Sequence, residues 1–270
     1  MKIHKCIRKL VWLFTIIWMG IGAAVGEQLP KDMQRITENG KLTVALYFED
    51  IQPFFVQGEN GLSGLDIDIA QLMAEKLGVE LEFVRKAETF DELVHMVARR
   101  DADVVISVLS RTVDRARYVR FSEPYLQLRQ ALMINRLMAV RAKLGKDVIA
   151  EMNREDIRIG VVRGSSYVGF ANDLFPKANI VQFDRWDEIV AAVLNEELFA
   201  AFYDSVEVKN FLKDNKTANL YIQTMILQDN VDDISVAVHS DDTHLLSWVN
   251  LFIHSLRQRG ILRRLEAEYL

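Results

Sequence analysis

Hydroxyl and guanidinium side chains follow one another closely after the apolar run 102–106: Ser107, Ser110, Thr112 and Arg115. An arginine guanidinium is a planar donor that meets a carboxylate in two parallel hydrogen bonds, and nearby hydroxyls add further donors. The segment therefore predicts a carboxylate-binding site. The alternative is that Thr112 caps a helical turn and Arg115 forms a surface ion pair, which contributes little to stability.

The element that precedes these residues predicts where they lie. Residues 102–106 have the length and apolar composition of a buried strand. Ligands of open α/β sheets bind in the crevice outside the carboxyl ends of the strands. Because the candidate residues follow such an end, we expect them to line a cleft.

Two later segments offer a second set of candidates. A predicted strand at 157–162 is followed by Gly164, Ser165 and Ser166, and the N-terminus of the next helix presents unpaired N–H groups to an anion. Asp204 comes directly after a predicted strand at 199–203. The alternative is that one of the serines and Asp204 only cap the helices that follow them.

Strand and helix patterns alternate from residue 41 onward, which predicts an α/β fold built from βα units around a parallel sheet. A second α/β set begins near residue 137. The remaining strands are expected at 42–46, 79–83, 180–183 and 234–238, and the helices at 65–77, 89–100, from 166, 186–194, 205–213 and 243–259.

Four short motifs occur in order along the chain: Gly64-Leu65-Asp66-Ile67-Asp68, Asp103-Val104-Val105-Ile106, Ser110-Arg111-Thr112-Val113-Asp114-Arg115 and Phe121-Ser122-Glu123-Pro124-Tyr125. In combination they resemble the extracytoplasmic solute-binding proteins of family 3, the substrate-binding components of polar amino-acid ABC importers. The resemblance covers nearly all of the chain after the first 26 residues.

The resemblance implies a periplasmic-binding-protein-like fold of type II, with two α/β lobes joined by a hinge that the chain crosses twice. We place the crossings near residues 133–136 and 228–234. The first lobe then comprises residues 27–134 and the return segment 231–270, and the second lobe comprises 135–230. A ligand that bridges the lobes favours the closed form, which docks on a membrane permease. We expect a monomer.

The resemblance also implies residue roles in the cleft. On the first lobe Arg115 and Ser110 bind the α-carboxylate of an amino acid or analogue, beside Ser107 and the backbone N–H of Val108. On the second lobe Asp204 receives the α-ammonium group. The family's glycine and two hydroxyl residues at the second anion-binding turn are matched here by Gly164, Ser165 and Ser166.

The chain departs from the family pattern at several positions. Leu65 stands where many members have an aromatic ring against the ligand, so the pocket is expected to be less aromatic there. Arg111 replaces an apolar residue and is expected at the surface. Phe48 is expected to supply the ring that stacks on the ligand. Glu49 or Asp50 could meet a basic ligand, so the charge of the ligand stays open.

The first 26 residues have the layout of a secretory signal peptide, with four basic residues, no acidic ones, an apolar run and small residues before Gly26. We expect cleavage after Gly26 and a periplasmic protein. A retained membrane anchor is the alternative, because the apolar run is long. Cys6 precedes this run, so it cannot carry the lipid of a lipoprotein, and no other cysteine is available for disulfide or thiol chemistry.

Several function classes are disfavoured by composition. The net charge is −5, and loss of the four basic residues of the leader takes it to −9, which argues against nucleic acid as a partner. The histidines show no metal-ligand spacing, and we expect neither a metal nor a cofactor. A serine hydrolase is disfavoured because Gly164-Ser165-Ser166-Tyr167-Val168 lacks the final glycine of a nucleophile elbow.

Two alternatives to transport stay open. A few proteins of this fold are dehydratases of prephenate-like cyclic acids, which need a general acid in the cleft. Arg115 would serve either function, and no single acidic residue stands out in the sequence. An extracytoplasmic sensor that passes its closed state to a signalling partner is the other possibility.

Overall fold

The computed structural model describes residues 29–270, so the predicted signal peptide and Cys6 lie outside the described residues. In the part of the chain that the structure describes, no helix combines the length and the apolar character that crossing a membrane requires.

Residues 29–270 contain ten α-helices and ten strands. The helices are α1 Lys31–Asn39, α2 Leu65–Leu77, α3 Phe90–Ala98, α4 Arg136–Arg141, α5 Val148–Met152, α6 Ser166–Leu174, α7 Trp186–Leu194, α8 Ser205–Asp214, α9 Thr243–Gln258 and α10 Ile261–Tyr269. The strands are β1 Lys41–Tyr47, β2 Val56–Gly58, β3 Gly61–Ser63, β4 Glu80–Ala87, β5 Val104–Val105, β6 Val119–Asn135, β7 Arg158–Val162, β8 Asn179–Phe183, β9 Ala200–Asp204 and β10 Ile222–His239.

Eight strands form one continuous sheet in the order β4-β1-β5-β10-β6-β9-β7-β8. At one end of the sheet, β1 runs parallel to β4 and β5. At the other end, β7 runs parallel to β8 and β9. The two long central strands β6 and β10 are antiparallel to each other along most of their length. Parallel βα units therefore flank an antiparallel pair on both sides.

The buried side chains divide into one cluster around β4, β1 and β5 and two clusters around β9, β7 and β8. Along β6, Leu128 packs in the first cluster and Ala131 in one of the other two. Along β10 the change occurs between Leu227 and Ile234, and α9 and α10 pack on the first cluster. The two central strands thus connect two separately packed lobes.

The change of core in β6 lies a few residues before the first crossing expected at 133–136, while that in β10 overlaps the second crossing expected at 228–234. The reason is that the apolar run after Gln130 belongs entirely to the second lobe. The lobe boundaries at residues 134 and 230 stay predictions.

The lengths of β6 and β10 were not apparent from local sequence. Charged residues such as Arg120, Glu123 and Arg129 interrupt the apolar pattern of β6, and they point to solvent from a strand whose other face is buried. The polar stretch around Asp229 in β10 coincides with a register shift between Leu227 and Val231. Pairing of the two strands with each other overrides their weak local propensities.

Candidate functional site

A small cavity lies between the two lobes and is lined by residues of both. Its walls are apolar or aromatic on several sides, and its polar lining consists of Ser110, Arg115, Ser165, Ser166, Tyr167, Tyr203, Asp204 and Asp232. The cavity measures about 20 Å³. This is enough for one water molecule, so the structure has the cleft in a closed arrangement.

Arg115 is buried in the cleft, with 5% of its surface exposed, and begins a short 3₁₀ turn after β5. Its Nε donates to Asp91 Oδ1 at 3.0 Å, its Nη1 to the Ser110 carbonyl at 3.2 Å and its Nη2 to the Gly164 carbonyl at 3.2 Å. Thr112 Oγ1 accepts from the Arg115 N–H at 3.3 Å, just before this turn. The guanidinium itself faces the cleft and contacts both lobes.

Ser110 is held against β10 by backbone hydrogen bonds of its two neighbours, from Arg111 N–H to the Asp233 carbonyl and from Ser235 N–H to the Leu109 carbonyl. Its hydroxyl donates to Asp232 Oδ2 at 2.8 Å and lies 2.8 Å from Ser166 Oγ. A serine has one hydroxyl proton. While Asp232 is ionised, Ser166 is therefore the donor to Ser110.

The backbone N–H of Val108 is not available to a ligand, so the prediction that it donates to the ligand is wrong. It donates to Asp66 Oδ2 at 2.6 Å, while the Tyr125 hydroxyl donates to Asp66 Oδ1 at 2.8 Å. Val108 does line the cavity. Ser107 is fully buried, its Oγ accepts from the Tyr47 N–H at 2.9 Å, and it does not line the cavity.

The structure brings neither Leu65 nor Phe48 to the cavity. Leu65 opens α2 and is 2% exposed within the core of the first lobe, because the apolar face of that helix packs on the sheet, so it is corrected to a core residue. Phe48 is 42% exposed, and its ring makes a T-shaped contact with Tyr47. The aromatic wall on this side is instead Phe90, which stacks on Tyr47 with ring centroids 4.9 Å apart.

On the second lobe Ser165 occupies the N-cap position of α6, but its hydroxyl donates to the Val162 carbonyl at 2.6 Å and makes no capping bond. Gly164 has a φ of 65°, and a Cβ built on it would lie 2.8 Å from the Cβ of Thr89 on the first lobe. Only glycine therefore lets the two lobes approach this closely at Gly164.

Asp204 caps a helix and also lies in the lining of the cavity. Its Oδ1 accepts from the Val206 and Glu207 N–H groups at 2.8 and 2.9 Å, so it caps α8. It also lines the cavity. Burial raises the pKa of the Asp204 carboxyl to about 6.

Asp232 and Tyr167 belong to the site and were missed from the sequence. Asp232 lies on β10 and is 2% exposed, and its Oδ1 is buried without a hydrogen-bond partner, as is the Tyr167 hydroxyl. Burial raises the pKa of the Asp232 carboxyl to about 7. The polar run around Asp232 is typical of an exposed hinge loop, so no local signal marks the residue as buried.

Contacts at the mouth of the cleft also join the lobes. Asp91 N–H donates to the Gly164 carbonyl at 3.2 Å, Arg185 Nη1 pairs with Glu49 Oε1 at 3.1 Å, and Asn210 Nδ2 donates to the Gln52 carbonyl at 3.2 Å. Within residues 29–270, no group of three or more histidine, cysteine or acidic side chains is arranged to hold a metal ion.

Among curated proteins, the chain is 24% identical over 253 residues to a probable histidine-binding protein of Neisseria gonorrhoeae, covering 93% of this chain and 87% of that protein. It is 26% identical to membrane-bound lytic murein transglycosylase F of Pseudomonas fluorescens, covering 96% of this chain but 51% of the relative. The chain thus spans about half the length of that enzyme.

Among solved structures, one match is an ancestral amino acid-binding protein described as a precursor of cyclohexadienyl dehydratase. The TM-score is 0.73 at 26% identity, covering 88% of this chain and 98% of the other. The two-lobed α/β architecture of type II periplasmic binding proteins is confirmed. The family model for bacterial extracellular solute-binding proteins, family 3, matches residues 42–270. The chain therefore belongs to this family.

Proposed function

We propose that the protein captures an amino acid or an amino-acid-like ligand in the cleft between its lobes and delivers it to the membrane permease of an ABC importer. The observation that carries the proposal is that Arg115 of the first lobe and Asp204 of the second, which carry opposite charges, line one cavity. An α-amino acid presents a carboxylate and an ammonium group on one carbon, which is the complementary pattern.

The carboxylate of the ligand meets Arg115. The Ser166 hydroxyl adds a donor beside it by turning from Ser110 to the ligand, and Ser110 donates to the ligand only when its proton is not used by Asp232. In the closed arrangement Arg115 Nη2 donates to the Gly164 carbonyl. A ligand carboxylate is a stronger acceptor than this carbonyl, since a charge-assisted hydrogen bond is roughly twice as strong as one between neutral partners. The ligand therefore replaces this cross-lobe contact with a stronger one.

Entry of the ligand requires the lobes to move apart, because a cavity of about 20 Å³ is smaller than any amino acid. The ligand then joins groups of both lobes and binds the closed form better than the open form. Only this difference in affinity shifts the hinge equilibrium. The closed form is the one that the permease recognises.

We further propose that residues 1–26 direct the chain to the periplasm and are removed after Gly26, and that the protein is a monomer there. The mass of the protein recovered from the periplasm tests the first point, since cleavage predicts a chain that begins at Glu27. Light scattering during gel filtration tests the second.

Binding rather than catalysis is the function that we infer. The dehydratase alternative has one observation in its favour, since Asp204 and Asp232 are buried acids with raised pKa values in a cleft that also holds a buried arginine. Incubation with prephenate or arogenate separates the two functions. Formation of an aromatic product would replace binding by catalysis.

The proposed function is tested by a thermal-shift screen of the mature protein after unfolding and refolding have removed any co-purified ligand. A rise in melting temperature with an α-amino acid supports the proposal. Stabilisation only by carboxylic acids without an amine would contradict the role of Asp204.

A further inference from the structure

The cleft contains a second buried carboxyl group that the proposed function does not use. Asp232 lines the same cavity as Arg115 and Asp204, and it is contributed by β10, one of the two strands that connect the lobes. Only its Oδ2 is engaged, by the Ser110 hydroxyl at 2.8 Å. Its Oδ1 is buried and has no partner.

The charges around the cavity do not balance for a zwitterionic ligand. Arg115 is the positive group of the lining, and Asp204 and Asp232 are both negative when ionised. Arg115 already pairs with Asp91 at 3.0 Å. A zwitterion adds one charge of each sign and so leaves one buried carboxylate without a cation.

An unpaired buried carboxylate is costly, because the interior does not replace the water that solvated it. Burial raises the pKa of Asp232 to about 7, because the desolvated carboxyl is more stable in its neutral form than as a carboxylate. The side chain of Glu207, on the first turn of α8, adds a further partly buried acid near Asp204. The cavity lining thus holds two acids, from the second lobe and the hinge, against one arginine from the first lobe.

We propose that the ligand carries a net positive charge, as a basic amino acid or another carboxylic acid with two amine-type groups does, and that Asp232 selects for the second cationic group. The proposal rests on the proposed function and adds the charge class of the ligand to it. A neutral analogue of the same size is rejected because it leaves Asp232 desolvated and unpaired.

The test measures binding by calorimetry at pH 8 with two matched pairs of ligands, L-arginine with L-citrulline and L-lysine with L-norleucine. The members of each pair have similar size, but only the first carries a cationic side chain. The wild-type protein is expected to bind at least one basic member at least tenfold more tightly than its neutral counterpart. Equal or tighter binding of the neutral member would overturn the proposal, and this measurement needs no variant.

Asp232→Asn assigns the selection to this residue. The basic-to-neutral affinity ratio is expected to fall at least tenfold in this variant, and an unchanged ratio in a folded variant would overturn the assignment. Asp233→Asn is the matched control, because Asp233 is the next residue of the strand and pairs instead with Arg111 and Gln127 outside the cavity. It is expected to keep the wild-type ratio.

The experiment also separates this inference from the proposed function. Tight binding of a neutral amino acid that Arg115→Ala abolishes would overturn the inference alone. Binding of no amino acid by the refolded wild-type protein would overturn both.

Discussion

The hydroxyl oxygens of Ser110 and Ser166 lie 2.8 Å apart and join the two lobes across the cleft. Ser110 follows β5 on the first lobe, and Ser166 opens α6 on the second. Because Ser110 also donates to Asp232 on β10, a continuous hydrogen-bonded path runs from the second lobe through the first to a strand of the hinge. Separation of the two hydroxyls would break this path.

Replacement of Arg115 by alanine is expected to lower ligand affinity by at least about 2 kcal/mol, or roughly thirtyfold, because the ligand carboxylate loses its charged partner in a desolvated site. Calorimetry with the ligand found in the thermal-shift screen measures this loss. Arg117→Ala is the matched control, since Arg117 lies two residues away and is exposed. An affinity of Arg115→Ala close to that of the wild type would remove the carboxylate assignment.

Two substitutions of Asp204 separate its roles in binding and in helix capping. Asparagine still accepts hydrogen bonds at the N-cap of α8 but carries no charge, so Asp204→Asn should weaken amino-acid binding about tenfold, or about 1.4 kcal/mol, with little loss of stability. Alanine removes the cap as well, so Asp204→Ala should also destabilise the protein by about 1 kcal/mol.

Calorimetry gives the affinity and urea unfolding gives the stability of both Asp204 variants. Normal binding by Asp204→Asn would mean that the ligand presents no ammonium group to this residue. Equal stability of the asparagine and alanine variants would contradict the capping role.

Substitution of Gly164 by alanine is expected to oppose closure of the cleft. The added Cβ would lie 2.8 Å from Thr89 Cβ across the lobes, and the φ of 65° disfavours any side chain by about 1–2 kcal/mol. The clash exists only when the lobes are closed, so ligand affinity should fall about tenfold or more. In X-ray scattering, ligand should reduce the radius of gyration of the wild type but not of Gly164→Ala.

The control for this substitution is Gly169→Ala in α6, where an added Cβ has no heavy atom within 4 Å. Its stability should equal or exceed that of the wild type, since alanine favours a helix over glycine by up to about 1 kcal/mol. Ligand-induced compaction of Gly164→Ala to the wild-type value would show that the lobes do not meet at this glycine.

Stability should decrease as the pH rises from about 4 to about 7, in part because of Asp66. Burial raises the pKa of Asp66 to about 7 from an ordinary value of 3.8, although it accepts hydrogen bonds from Val108 and Tyr125. Between these pH values the folded protein holds a proton that the unfolded chain has released. Each pH unit then costs up to about 1.4 kcal/mol of unfolding free energy for such a group.

Asp66→Asn should make this pH dependence shallower, because an amide can accept from the Val108 N–H and donate to the Tyr125 oxygen without titrating. Urea unfolding between pH 4 and pH 8 measures the slope. Asp101→Asn, which removes an exposed carboxylate, is the control for a change of surface charge. A wild-type slope in Asp66→Asn would show that Asp66 does not hold its proton in the folded state.

Much of the site could be predicted because its residues occur in short motifs at the ends of strands. Ser110, Arg115, Ser165, Ser166 and Asp204 all line the one cavity. Their roles in ligand binding stay predictions. What local sequence could not predict is which polar groups are already occupied, as the Val108 N–H is by a carboxylate 42 residues earlier in the chain.

Asp232 is the clearest residue that the sequence could not identify. Its neighbours are polar, and its burial depends on the pairing of β10 with β6 and on Ser110, which lies 122 residues away. A carboxylate in such a stretch is ordinarily solvated, so only the packed structure distinguishes it from Asp233, which pairs with Arg111 at the surface.

The sequence by itself determined the alternating elements, as α7 at Trp186–Leu194 illustrates, because periodicity and helix ends act over a few residues. Through its motifs it also determined the family and most of the polar lining of the cleft. The tertiary structure alone decided the long central strand pair, the contact between Ser110 and Ser166, and the burial of Asp232. These depend on contacts between distant segments, whose formation is decided by packing and not by local preference.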